Sequence, residues 1–512
     1  MSRISETLKL AGLLPAAASL PPSVVAAPAQ DNLLPLVLQT WSAHPGPWRR
    51  DEAARRESVL IRLTRYHEQG ASLTYGVPGA AADRFDRWLG NRLAWWPRGV
   101  PTGRFVGVVS SRLGQALDRH KAWFTVLRAV SMKIDPRQDL LVTAEQTTAD
   151  RFVQRCGELF GLRVLSLELD RDDRLSPERW GAQLLAAEDS KPTASQRVCI
   201  SPELNRRESE GLPRLPAADR AVAALSERLV VLHARRNGNL DRLLRARLKD
   251  PAFPAASVFL ALGSELVPRE LAGELMGHGA VGWLVLNTLG HADEVAAGPW
   301  TLPENVARTP APVIAWPRAE GEQYLTHCTR RRRGPWPGEA EADFLDDLIL
   351  DRAGADHSAW AALWRIVQTQ RLMASAEMIR GGTPVVSFTA VPLGDLPRLR
   401  GFRPHLARWD FEPYGICLRR DWLESRGARS VRYGDDALWQ TLPAEEQAFF
   451  QRARSETPSG TVLDWSKEQE WRHLGDLPLR ELPAQAAFLF VPSASEARQL
   501  ALVSPWPVAT LT

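Results

Sequence analysis

The chain has 512 residues, enough for two to four domains, and its 44% hydrophobic and 24% charged residues are the balance of a globular protein. A formal net charge of +4 excludes a whole-molecule electrostatic case for nucleic-acid binding, so any basic footprint has to be local. Cys156, Cys199, Cys328 and Cys417 are too scattered for a zinc or redox motif; they read as reduced, mostly buried thiols, with no metal site. The reduced thiols lead to the expectation of a cytoplasmic protein, and no apolar run reaches the roughly 18 residues of a membrane helix. Leu10–Leu20 faintly mimics a signal peptide, but Glu6, Pro15 and the Pro21-Pro22 pair argue against one.

Residues 1–100 read as an N-terminal extension or small subdomain. The Ala- and Pro-rich residues 1–32 are expected to lie irregularly on the surface. Leu33–Trp41 and Ser58–Tyr66 fit short strands and short helices equally well. Asp83–Trp95 has helical spacing at Phe85, Trp88, Leu89 and Leu93, and Trp96–Pro101 ends it.

Residues 101–297 alternate strand and helix. Phe105–Ser110, Leu140–Thr143, Arg163–Leu169, Arg197–Ser201, Leu229–His233, Ser257–Leu262 and Gly282–Asn287 read as strands. Lys121–Ile134, a helix capped by Thr147-Thr148, Ala218–Glu227, Asn239–Leu248 and Pro268–Met276 lie between them. Such repetition predicts a Rossmann-like parallel sheet with helices on both faces. Two loops fall at carboxyl ends of strands, where open α/β sheets bind ligands: Val109-Ser-Ser-Arg112-Leu-Gly114 and Arg235-Arg-Asn-Gly-Asn239. A Gly/Asn loop feeding a helix N-terminus also suits a phosphate.

The Ser-Ser-Arg loop after the first strand resembles SLOG-type nucleotide-binding domains. The resemblance implies a nucleotide signal held by Arg112, Asn237, Gly238 and Asn239, although the glycine-rich loop of that family is reduced here to Asn-Gly-Asn. A structural α/β domain with a degenerate site is the alternative reading.

Residues 298–317 carry several prolines and read as a linker. In residues 318–512 three segments draw notice: Tyr324-Leu-Thr-His327-Cys-Thr329, Thr383-Pro-Val-Val-Ser387-Phe-Thr389, and Asp464-Trp-Ser-Lys-Glu468-Gln-Glu470-Trp-Arg472. In an extended strand Glu468 and Glu470, two apart, project to one face and into one cleft. Read in order, the three segments resemble the signature of the ADP-ribosyltransferase fold. Residues 320–490 resemble, more narrowly, AbiGi-type abortive-infection phage-resistance proteins, through Val386–Thr389, Pro413–Ile416, Trp422–Tyr433 and Glu470-Trp-Arg472. The resemblance implies an α+β ADP-ribosyltransferase-like domain with NAD as substrate. Glu470 and Glu468 would be catalytic, and His327, Thr329, Ser387, Thr389 and Tyr414 would bind NAD. The middle segment lacks the Tyr of the His-Tyr-Glu subclass, and Arg begins only at Arg330, after His327.

The resemblance implies a chemistry that these residue types can supply. Breaking the nicotinamide–ribose bond develops positive charge on the sugar, and a nearby carboxylate stabilises it. The ADP-ribose acceptor stays open between protein and nucleic acid. Arg403, His405, Arg408, Arg419, Arg420, Arg426, Arg429 and Arg432 interleave with Trp409, Tyr414 and Trp422, as in single-strand binders such as DarT-like enzymes, but acidic neighbours dilute them. The run Arg330–Arg333 is either a solvated loop or a phosphate contact. Together the two resemblances imply, as an expectation, an anti-phage protein with a nucleotide-sensing Rossmann-like domain and a C-terminal NAD-dependent effector. The alternative is a catalytically inactive nucleotide- or partner-binding module.

Overall fold

The computed structural model describes residues 3–20, 32–44, 50–169, 175–186, 195–204, 215–263, 265–285, 309–315, 323–403, 408–456 and 462–511. It divides into two compact units, Met1–Gly114 with His120–Gly290 and Ile349–Asp351, and Gln115–Arg119 with His291–Leu348 and Arg352–Thr512.

The first unit begins with helices α1 (Arg3–Leu10), α2 (Leu34–Ala43) and α3 (Arg50–Glu68). The composition of residues 1–32 predicted irregular chain, but Ile4 and Leu8 lie one turn apart and bury together with Leu34, Val37 and Trp41. The two segments that fitted either element are helices. After β1 (Ser72–Tyr75) comes α4 (Ala82–Leu89), then β2 (Leu93–Trp96). Gly90, at φ 79°, ends α4, so Leu93 belongs to a fully buried strand and not to the helix its spacing suggested.

The alternation then runs β3 (Arg104–Ser110), α5 (Lys121–Ser131), β4 (Asp139–Ala144), α6 (Asp150–Phe160), β5 (Val164–Glu168), α7 (Pro177–Ala186), β6 (Ser195–Ile200), α8 (Ala217–Leu225), β7 (Arg228–His233), α9 (Asn239–Lys249), β8 (Val258–Leu262), α10 (Arg269–Gly277) and β9 (Val281–Leu284). Thr147-Thr148 does not cap α6. Ala149 holds that position, and the Thr147 hydroxyl donates to the Ala144 carbonyl instead. Gly161 ends α6 in the left-handed conformation.

The nine strands form one sheet in the order β1-β2-β6-β5-β4-β3-β7-β8-β9. From β6 to β9 all neighbours are parallel; β1 and β2 add antiparallel at one edge. Val109, Leu140, Val142, Leu165, Leu167, Leu229 and Val231 share one core with α8, α9 and α10. Each such buried side chain contributes roughly 1.5–3 kcal/mol. α5 and α6 pack on each other through edge-on contacts among Trp123, Phe124 and Phe152.

The second unit is built on eight strands: β10 (Val313–Ala315), β11 (Tyr324–Cys328), β12 (Val385–Thr389), β13 (Gly415–Arg419), β14 (Arg429–Ser430), β15 (Glu470–Leu474), β16 (Ala487–Val491) and β17 (Val508–Thr510). Their order is β10-β17-β16-β13-β11-β12-β15-β14. β10 lies within the stretch that composition marks as a linker; the rest of residues 298–317 is outside the described residues, apart from 309–312. Helices α11 (Glu341–Leu350) and α12 (Ala359–Thr369) come between β11 and β12. Ser358 caps α12 by accepting from the Ala361 N–H.

Alternation gives this sheet two distinct faces. Leu325, Val386, Phe388, Ile416, Leu418 and Leu489 pack with Leu363, Trp364 and Val367 of α12. Cys417, Phe488 and Phe490 pack on the other side with Val391, Leu393, Leu396 and Phe411. The molecule is thus mixed α/β, with one large, mostly parallel sheet and one mostly antiparallel sheet.

Candidate functional site

In the first unit, the chain leaves β3 in one direction through β4, β5 and β6, then returns to β7 on the other side of β3. Such a reversal opens a crevice at the carboxyl ends of the two strands. Both sequence-predicted loops sit there. Ser110 pairs with His233, and the Ser111 N–H donates to the His233 carbonyl at 2.8 Å. The Arg235 N–H donates to Ser111 Oγ at 3.2 Å, and its guanidinium donates to the Arg112 carbonyl at 2.8 Å. Asn237 holds a left-handed φ of 61°, and its N–H donates to the Asp241 carboxylate at 2.8 Å. Gly238 is the N-cap of α9 in extended conformation, with no side-chain cap. Arg112 is exposed, whereas the Asn239 side-chain oxygen accepts from Arg242 at 2.7 Å. Arg112, Asn237, Gly238 and Asn239 therefore lie on two loops tied by direct hydrogen bonds.

Two histidines that the sequence did not single out border this crevice. Burial, then the Arg235 charge, holds His120 below its ordinary range. His233 is lowered by the same pair of causes against a raising hydrogen bond with the Ser111 backbone, and its Nδ1 is buried with no partner among the described residues. A strand-end histidine carries no distinguishing sequence signal.

In the second unit the three motif strands lie side by side, β11-β12-β15. Thr326 pairs with Thr389, and Thr389 with Glu470, so the three form one cross-strand row. Ser387 pairs with Arg472 on the same face. His327 does not join them. It follows Thr326 by one residue, so it projects to the opposite face, beside Phe388, with ring centroids 5.8 Å apart. The sheet separates His327 from Ser387, Thr389 and Glu470.

One further expectation is corrected, and three other expected site residues are found hydrogen-bonded within the framework. Glu468 is not on the strand. It ends a short 3-10 turn, Trp465–Glu468, held by Asp464 accepting from Ser466, and Gln469 at φ 45° reverses the chain before β15 begins. The two-apart rule thus fails for Glu468 and Glu470. Thr329 is buried, and its hydroxyl bonds the Ala359 and Tyr414 carbonyls at 2.8 and 3.2 Å. The Thr389 hydroxyl donates to the Glu468 carbonyl at 2.5 Å. Tyr414 donates its phenol to Glu496 at 2.7 Å and packs on Trp360; burial, then that hydrogen bond, pushes its pKa up. These groups are committed to the framework.

Glu470 is committed as well. Both carboxylate oxygens accept from Arg472 at 2.9 Å. Arg472 is 1% exposed and also donates to the Ala448 and Phe450 carbonyls at 2.8 Å and to Gln451 at 2.9 Å. The pair holds the 448–451 segment against the sheet.

On the helix-covered face, a cleft of about 680 Å³ opens beside His327. Burial, then the Arg330 charge, lowers the His327 pKa to about 4, against a raising bond from its Nδ1 to the Ser387 carbonyl at 2.9 Å. Arg330, Arg332, Arg365, Arg371 and Arg480 line the cleft, with Asp476 as the one carboxylate among the described lining residues. The Arg330–Arg333 run flags two of these arginines in the sequence. Arg371 and Arg480 carry no local signal, because a small ladder far along the chain, with Arg371 opposite Pro478, brings them together.

Among the described residues no group of three or more His, Cys, Asp or Glu could hold a metal ion, and no helix is long and apolar enough to cross a membrane. Comparison with family models gave no match, and comparison with curated proteins gave none. Among solved structures the chain is similar to DNA processing protein A (DprA) from Streptococcus pneumoniae, at 14% identity and a TM-score of 0.28, covering 55% of this chain and 94% of that one.

Proposed function

We propose that the protein is a nucleotide-binding defence module. Its first unit holds a phosphate-bearing signal in the crevice between β3 and β7, and its second unit is an ADP-ribosyltransferase-like sheet that does not turn over NAD. The observation that carries the reading is the convergence, at the reversal point of a parallel sheet, of Ser110–Gly114 with His233–Asn239. The uncapped start of α9 offers N–H groups to a phosphate, and Arg112 adds a charge-assisted donor. The placement of His327 and Glu470 on opposite faces supports the silent second unit.

Calorimetry of the full chain against a panel of nucleoside mono-, di- and triphosphates and cyclic dinucleotides tests the crevice. Saturable binding weakened about tenfold or more by Arg112→Ala is expected, from the strength of a charged hydrogen bond. Binding that ignores Arg112→Ala and Asn237→Pro alike refutes it.

The second reading is NAD-dependent transfer through Glu470 to a protein or nucleic-acid acceptor. It is favoured by the adjacency of the three motif strands and the row Thr326, Thr389, Glu470. Label transfer from NAD in lysate, lost in Glu470→Gln, would restore it. The defence role rests on the resemblance, and plating efficiency of phages on expressing cells measures it.

A further inference from the structure

The cleft beside His327 has no part in that reading. It lies on the face of the second sheet away from Glu470, and its charge is one-sided. Among the described residues five arginines face a single carboxylate, and Arg371 neutralises that one, with Arg371–Asp476 at 2.5 Å. Arg332 and Arg365 each spend one donor on a backbone carbonyl, of Pro335 at 2.8 Å and Pro337 at 3.4 Å, and keep their charge. Arg330 and Arg480 are exposed and have no carboxylate partner among the described residues. A cluster of like charges converging on a concave site is self-repulsive unless an anion joins it.

The rest of the lining says which anion. Ile366, Leu372 and Met373 add an apolar wall, with Met373 43% exposed. Among the described residues that line it, no aromatic face is open for stacking. Trp336 is covered by His357, centroids 4.5 Å apart, and by the Arg365 guanidinium at 5.3 Å. A single nucleic-acid strand takes much of its affinity from such stacking, and the cleft offers none. Its volume fits a small ligand of drug-like size.

We infer that this cleft is a second ligand site, which takes a small organic polyphosphate, a nucleoside di- or triphosphate, with the phosphates between Arg330 and Arg480 and the organic body along Ile366, Leu372 and Met373. Arginine forks match phosphate oxygens two at a time. His327 is neutral above about pH 4 and adds no charge, and with its Nδ1–H given to the Ser387 carbonyl its Nε2 is an acceptor only, so the arginines alone supply the phosphate donors.

The test is calorimetry of the full chain with ATP, ADP, inorganic triphosphate, NAD and a ten-residue oligothymidylate. The crevice of the first unit also takes nucleotides in the reading above, so the assignment is scored by which variant removes the heat. ATP or ADP binding that falls tenfold to a hundredfold in Arg330→Ala/Arg480→Ala, and more in Arg480→Glu, but survives Arg112→Ala, is the expected result. Both arginines are exposed, so these variants keep the fold, and melting curves check that. The exposed Arg398→Ala should bind as the parent does. The site is refuted if the double variant binds ATP and ADP unchanged, if neither binds, or if NAD or the oligothymidylate binds through these arginines in preference to them. Inorganic triphosphate binding as tightly as ATP refutes the role given to the apolar wall.

Discussion

Arg472, which follows Glu470 in the third motif, is a framework residue in the folded chain. It is 1% exposed and donates to Glu470, Gln451 and two carbonyls. A buried ion pair offsets its own desolvation only when every donor is used, and removing one partner costs about 3–5 kcal/mol. Glu470→Ala and Arg472→Met should therefore each lower the melting temperature by many degrees. Glu470→Gln, which keeps one acceptor, should lower it less. A catalytic Glu470 would show the reverse pattern, with lost activity at unchanged melting. His357 gives a second test at this scale. It is 1% exposed between Trp336 and Phe344, Nδ1 bonds the Gly334 carbonyl at 2.8 Å, and Nε2 has no hydrogen-bond partner among the described residues. Burial lowers its pKa to about 4, as it does for His327. Both values lie below the ordinary 6.5, so between pH 6.5 and 4 the unfolded chain binds more protons than the folded one. Stability is fully present above pH 6.5 and falls as pH drops through that window. Thermal melts at pH 7.5 and 5 should show the loss, and His357→Gln should start lower but lose less.

At the scale of elements, β11 depends on how closely β13 approaches it. Gly415 faces Cys328 in the register, and a Cβ there would overlap the His327 carbonyl and crowd the Phe490 ring. Gly415→Ala should cost about 1–3 kcal/mol of overpacking and displace His327. Melting should fall together with polyphosphate affinity, and an unchanged variant would show that the strands can separate. The pairing behind this argument was not legible in the sequence. The parallel strands of the first unit were, because strands covered on both faces read as continuous apolar runs such as Leu140–Thr143 and Leu229–His233. Helix stops such as Gly161 were equally plain. A strand's face is a different matter. A shift of one residue turns every side chain over, and only the non-local match of Thr326 to Thr389 puts His327 on one side and Glu470 on the other. Likewise Gln469 gives no warning that its φ is 45°, and with that angle the shared face of Glu468 and Glu470 is lost. The cleft depends on Arg371 and Arg480, residues more than a hundred positions apart, and local spacing carries no trace of it.

Over the whole molecule, the formal charge of +4 says little until the arginines are sorted by what they touch. Of the five footprint arginines whose side chains are described, three are paired with carboxylates. Arg419 bonds Asp421 at 2.5 Å, Arg426 bonds Glu481 at 2.8 Å, and Arg432 bonds Glu446 at 2.8 Å. The interleaved aromatic faces are taken too, by Arg400 over Trp409 at 4.6 Å and by Arg426 over Trp422 at 5.3 Å. The side chains of Arg403, His405 and Arg408 lie outside the described residues. Neutralised arginines release few counterions from a strand, and each phosphate contact adds only about −0.7 to the logarithmic salt slope for single strands. Oligothymidylate binding by the full chain, measured between 50 and 200 mM salt, should therefore show a slope no steeper than about −2. A slope near −5 would mean that these surface pairs open to meet phosphate, and would restore a nucleic-acid acceptor as the natural partner of the second unit. The positive charge of Arg330 and Arg480, which has no carboxylate partner among the described residues, predicts the opposite behaviour for ATP: measurable affinity that survives at 150 mM salt, because a partly enclosed site is screened less than an open face.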